Sequence, residues 1–243
     1  MDMTIDGVDI STYGGASLLD YVIGQTPMTN DIYQGVNDSQ WIPVFSEFGL
    51  REIHVTILFA GETLHDAKVN RSRFNLAVHD TCELYIPDDG FYYRVSCMDL
   101  GDEELVGIGD TMAEVKSRYH FRGIRHDPLE TLTVESAANF ICKSTAPFTA
   151  CRVTAEIPSG AQFFTIKHGS QVVAFSDFAS AGTGYDAVLD GLTHTVKYAS
   201  NNWLNKTSWQ LSDSPFIYLT PGTNKLIVSP ASPVTVEYYP TYI

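Results

Sequence analysis

Residues 81–100 read TCELYIPDDGFYYRVSCMDL, and this stretch decides the fold. Leu84, Tyr85 and Ile86 form a short β-prone run. Pro87, Asp88, Asp89 and Gly90 make a turn: Pro presets φ, the Asp side chains cap the turn backbone, and Gly accepts positive φ. Phe91, Tyr92, Tyr93, Arg94 and Val95 run back as a second strand of aromatic and β-branched residues. A lone two-stranded hairpin is unstable in water, so other segments must cover it. The chain immediately before it supplies the candidates.

Ile53, Val55, Ile57 and Phe59 alternate with Glu52, His54, Thr56 and Leu58, which predicts a strand with one apolar face ending at Gly61. His54 falls on the polar face and reads as a solvated side chain. Thr63 with Asp66 three residues on predicts a helix N-terminus. Ala67, Phe74, Ala77 and Val78 then recur at helical spacing up to about His79. This helix is expected to lie across the hairpin's sheet. Further on, Ala113, Val115, Tyr119 and Phe121 alternate with Glu114, Lys116, Arg118, His120 and Arg122, a half-buried antiparallel strand. Residues 1–10 predict a strand and turn at an edge. The polar stretch 25–39 reads as a long loop or arm, and 99–110, with Asp99, Asp102, Glu103 and Glu104, as a solvated acidic loop. Those acids lack the alternate ligand positions of an EF-hand.

The chain has 243 residues, is 44% hydrophobic and carries a formal charge of −14. The acidity is lopsided: residues 1–130 hold 22 acids and 9 bases, residues 131–243 hold 7 acids and 6 bases. Such a balance argues against general nucleic-acid binding and for two units in different surroundings. Cys82, Cys97, Cys142 and Cys151 form no CxxC pair and read as reduced, buried thiols without zinc-ligand spacing. No basic–apolar leader and no apolar run long enough to span a bilayer is written, so no membrane insertion is expected.

From about residue 150 the pattern is strand after strand. Candidates are 152–157, 163–167, 171–175, 193–198, 216–219, 225–228 and 234–239, separated by Gly- and Pro-containing turns. A further strand at 131–134 is expected within a linker. Short strands at this spacing predict a β-sandwich. The overall expectation is a mainly β chain: a β-sandwich-like N-terminal domain with one α-helix and a hairpin (1–135), then a second β-sandwich (136–243).

No nucleophile elbow, HExxH, Walker A or complete GxGxxG motif occurs, and no carboxylate pair stands out, so neither catalytic residues nor a cofactor or metal site is assigned. Trp203 and Trp209, with Tyr198 and Asn202 nearby, form a candidate contact for a partner or a glycan, since indole faces stack on sugar rings. A carbohydrate-binding module is therefore the alternative function.

The TIDG start, the strand REIHVTILFAG (51–61), the helix and the hairpin LYIPDDGFYYRV (84–95) together resemble the distal tail (Dit) proteins of long-tailed, non-contractile phages and prophages of Gram-positive bacteria. The end of the chain resembles the family's galectin-like C-terminal domain: Phe216, then LTPGTNKL at 219–226, then VTVEYYP at 234–240. Residues 34–43 hold Gly35 and Pro43 but lack the Pro-Gly-rich segment common in the family. The resemblance implies a non-enzymatic structural protein at the virion tail tip, assembled in the bacterial cytoplasm. It implies a homo-oligomer, a hexameric ring formed by the N-terminal domains. The ring would join the tail tube protein to the tail-associated baseplate protein, with galectin-like domains able to hold receptor-binding proteins. DNA would pass through the central hole without specific binding, and the acids Asp99, Asp102, Glu103 and Glu104 are candidates for facing it. The arm at 25–39 would reach a neighbouring subunit.

Overall fold

The hairpin at the centre of the sequence argument forms as read, and one sheet is built outward from it. The computed structural model describes residues 3–34, 41–108, 112–175, 185–198, 201–202, 207–210 and 216–243, with backbone alone at 30–34, 41–47, 108, 201–202 and 207–210. The chain divides into two compact units, Met1–His126 with Ile243, and Asp127–Tyr242.

The first unit contains β1 (Thr4–Ile5), β2 (Val8–Asp9), β3 (Ser17–Ile23), β4 (Met28–Gln34), β5 (Trp41–Phe48), β6 (Arg51–Gly61), α1 (Leu64–Ala77), β7 (Cys82–Ile86), β8 (Phe91–Asp99), β9 (Glu103–Ile108) and β10 (Ala113–His126). Its main antiparallel sheet runs β2-β1-β7-β8-β10-β6-β3, with β9 also paired to β10. In the hairpin Tyr85 faces Tyr92 and Ile86 faces Phe91. The amides of Asp89 and Gly90 both donate to the Ile86 carbonyl, at 3.1 and 3.0 Å. Gly90 takes φ +77°, the conformation that this position of the turn demands. The Tyr93 hydroxyl donates to the Asp89 carboxylate, tying the turn to the strand.

The helix starts where the capping box predicts. The Asp66 amide donates to Thr63 Oγ1 at 3.2 Å, and the Thr63 amide to Asp66 Oδ2 at 3.1 Å. The helix lies across the hairpin's sheet, resting chiefly on the β6 and β10 strands of it. Phe74 is its anchor, with ring centroids 5.5 Å from Phe59, 4.9 Å from Tyr119 and 5.6 Å from Tyr13. Truncating such a buried aromatic to Ala costs about 3–5 kcal/mol. Along β6 the residues Ile53, Val55, Ile57 and Phe59 are fully buried beneath it, while Glu52, His54, Thr56 and Leu58 occupy the sheet's other face.

The stretch read as a polar loop is instead half of a β-ribbon. β4 and β5 pair as their own two-stranded sheet, inserted between β3 and β6, which are neighbours in the main sheet. Asn30, Asp31 and Gln34 hid a strand whose alternation is not apolar. The tip of the ribbon, 35–40, lies outside the described residues.

The second unit is a two-sheet sandwich. It contains β11 (Glu130–Val134), β12 (Asn139–Cys142), β13 (Thr149–Glu156), β14 (Phe164–His168), β15 (Gln171–Phe175), β16 (Asp186–Asp190), β17 (Thr195–Tyr198), β18 (Asn201–Asn202), β19 (Thr207–Gln210), β20 (Tyr218–Leu219), β21 (Gly222–Ser229) and β22 (Val234–Tyr238). One sheet runs β11-β22-β13-β16-β17-β18, with β20 on β13; the other runs β12-β21-β14-β15-β19. Val153, Leu189, Val196 and Val236 from the first sheet and Ile166, Val173, Leu226 and Val228 from the second share one buried core. The strand expected in a linker is β11, which pairs with β22 along its whole length. The division between units therefore falls at residue 127, ahead of the expected 135/136.

The LTPGTNKL turn has a specific cause. Asn224 is buried, and its amide nitrogen donates to the carbonyls of Thr220 and Gly222 at 2.7 and 2.9 Å. Its Oδ1 accepts from the Thr220 amide at 3.0 Å and lies 2.9 Å from His168 Nε2.

Candidate assembly surface

The four acids assigned to a loop lie on and between two strands. β8 and β9 run in line along one flank of β10: Asp99 faces His120, and Glu103 faces Ser117. The break between them is pinned to the sheet. Gly101 adopts φ +63°, and its amide donates to Asp99 Oδ1 at 2.9 Å. Arg71 reaches from α1 into the break, its Nε donating to Ser117 Oγ at 2.6 Å and its NH2 to the Gly101 carbonyl at 2.9 Å.

The charges alternate with the strand. Glu103 points to the helix side, 2.8 Å from Lys68 Nζ and 3.8 Å from Arg71. Glu104 points to the other face, 3.0 Å from Lys116 Nζ. The expected solvated acidic loop is thus corrected. Pairing to β10 turns Glu103 and Glu104 into strand residues with opposite charges beside them, and Asp99 serves partly as a turn cap. Asp102 is exposed.

Apolar side chains are exposed along the same line. Met98, Leu100, Leu105, Val106 and Met112 stand in solvent, as do Leu19 and Val22 on the edge strand β3. Scattered exposed apolar residues are ordinary, but a run of them along strands is a mark of an interaction surface.

The sheet face away from α1 holds a second cluster that sequence reasoning did not assemble. His54 and His120 are directly opposite in the β6–β10 register, with rings 4.4 Å apart and 16° from parallel. Glu52 lies beside them, its carboxylate 3.9 Å from His120 Nε2 and 3.8 Å from Arg122 Nε. Burial, His120 and Arg118 all lower the His54 pKa, against the opposing pull of Glu52. Each histidine sits on the polar side of its own alternating strand, so the one available signal was the register between two strands far apart in sequence.

In the second unit Tyr198 is corrected from a candidate contact to a core residue. It is 2% exposed and meets Tyr185 edge-on at 6.0 Å. It ends an alternating strand, and its side of that strand faces inward. Asn202 and Trp209 lie on strand backbones, facing Lys197 and Val173 respectively, and their side chains lie outside the described residues. Trp203 lies outside them altogether.

No family model matches the sequence, and no curated protein matches it. Solved structures do. The chain is similar to the Dit protein (gp 19.1) of phage SPP1, described as a paradigm of the hub adsorption apparatus in phages that infect Gram-positive bacteria. That match has a TM-score of 0.69 and 13% identity over 100% of this chain and 99% of that one. It is also similar to a chain of the phage p2 baseplate in its activated conformation. With calcium the TM-score is 0.55 at 10% identity, over 98% of this chain and 97% of that one. With strontium it is 0.53 at 11% identity, over 97% of both. This chain thus has the Dit fold, mainly β with one helix among the described residues.

Proposed function

We propose that this protein is a distal tail protein, a structural hub of a phage tail tip. The observation that carries this reading is the end-to-end match to SPP1 Dit, which spans both units and covers 100% of this chain and 99% of that one. The neighbours' descriptions name a hub adsorption apparatus and a baseplate, and the same role is inferred here.

The first unit is read as the ring-forming part, six copies closing around an axis through a heterologous, repeating contact. Two features support that. A two-stranded ribbon such as β4–β5 is marginal on its own in water, and docking on an adjacent subunit would stabilise it. The exposed apolar residues along β8–β9 and on β3 would likewise be covered. The ring would join the tail tube to the tail-associated baseplate protein. The galectin-like second unit would be available to a receptor-binding protein, and DNA would leave through the hole. The role is one of assembly, without catalysis.

Negative-stain microscopy of the purified full chain tests this directly. Six-fold rings with an axial hole support it; particles that stay monomeric across micromolar concentrations overturn it.

A further inference from the structure

We propose that Glu52, His54 and His120 form a binding site for a transition-metal ion of the zinc type on the face of the first unit's sheet away from α1. One donor atom from each residue can be chosen so that all three lie within 4.8 Å of one another. Three donors around zinc at about 2.0–2.1 Å stand roughly 3.4 Å apart, so the cluster needs only a modest contraction. The residues free to make it are the exposed Glu52 and the half-exposed His54 and His120. The strands beneath need not move, because His54 and His120 already face each other across a continuous β6–β10 ladder.

A second observation points the same way. His120 Nε2 is buried and has no hydrogen-bond partner among the described residues, Glu52 being too distant for one. A polar atom left so in a folded protein calls for an explanation, and a bound ion is one. Two imidazoles and a carboxylate are also a recurring set of protein ligands for zinc, with a further position left for water.

The surroundings select the type of ion. Arg122 lies beside Glu52, and Arg118 is close enough to act on His54. Two guanidiniums oppose a hard cation held by charge alone, such as calcium or magnesium. Calcium and magnesium also take oxygen donors, whereas two imidazole nitrogens suit zinc, nickel or copper, so the site favours the latter.

The test uses the full-length chain, stripped with a chelator, and zinc chloride as the probe in calorimetry. Cobalt(II) absorption serves as the second readout. The expected result is saturable binding of one ion per chain and a cobalt spectrum without a thiolate band. Affinity should fall more than about a hundredfold in His54→Ala and in His120→Ala, and less in Glu52→Gln. Circular dichroism of each variant without metal separates loss of the site from loss of the fold, and His120→Asn provides a milder version. Absence of saturable binding below about 100 µM overturns the proposal, as does binding that survives His120→Ala in a folded protein. The measurement is made on the chain itself, so its outcome is independent of ring formation.

Discussion

Gly101 lies so close to Arg118 that a β-carbon built on it would stand 1.8 Å from the Arg118 carbonyl oxygen. Backbone, not a movable side chain, occupies that space, and φ at Gly101 is +63°. Gly101→Ala must therefore open the junction of β8 and β9 and loosen the Arg71 hydrogen bond to it. The expected loss is on the order of 3 kcal/mol, read as a lower urea midpoint for the first unit.

Neutralising Asp102 and Glu104 together, as Asp102→Asn and Glu104→Gln, tests whether this junction faces the passage in the proposed ring. Glu103 is left alone because Lys68 and Arg71 hold it. Removing Glu104 also exposes the charge of Lys116, its partner at 3.0 Å. Positive surface attracts DNA by releasing its counterions, so ejection from phage carrying the variant should slow, most strongly at low salt. Unchanged ejection kinetics would place these residues away from the DNA.

Asp190 makes the second unit's stability depend on pH at the acid end. Burial pushes its pKa up, but hydrogen bonds from Thr193 and the adjoining Arg152 guanidinium outweigh that and hold it below the usual carboxylate range. Arg152 Nε and NH2 each approach Asp190 Oδ2 to 2.8 Å, and the Leu192 and Thr193 amides donate to Oδ1 at 2.9 and 3.1 Å. A depressed folded pKa contributes stability that is present above the unfolded value of about 3.9 and lost as pH falls through the folded value. Thermal scans from pH 7 to 3 should show the second unit's midpoint falling at the acid end. Asp190→Asn should destabilise the second unit at pH 7 by about 1–3 kcal/mol, lowering that midpoint and flattening its acid dependence.

Asn224→Ala removes the side chain that fills the LTPGTNKL turn. It removes the partner of the Thr220 amide and of the carbonyls of Thr220 and Gly222. The expected cost is about 2–3 kcal/mol, confined to the second unit's unfolding transition. Calorimetry resolving two transitions would check both the size and the confinement.

Local chemistry wrote much of this structure into the sequence. Pro87 to Gly90 specified a turn, Thr63 and Asp66 a helix start, and the alternations at 52–59 and 113–122 two central strands. What escaped depends on partners. β4 and β9 carry acids and polar residues that a strand tolerates once another strand satisfies its backbone. Among the described residues the β19 backbone is paired through β15. The pairing of His54 with His120 required the register between strands separated by a helix, a hairpin and β9, which no local pattern encodes. Tyr198 was misplaced for a related reason: an aromatic near Asn and Trp reads as surface chemistry until its strand's inward face is known.

β10 closes the first unit. This single strand pairs with β6 along one edge and with β8 and β9 along the other, and it is the last of them to leave the ribosome. Until Ala113–His126 has been synthesised, the apolar faces of β6 and β8 and the underside of α1 have no shared sheet to join. A nascent chain must therefore hold those surfaces open from the end of β6 at Gly61 to the end of β10 at His126, roughly 65 residues of translation, which makes this interval the one in which chaperone capture and premature association between neighbouring polysomal chains compete with folding.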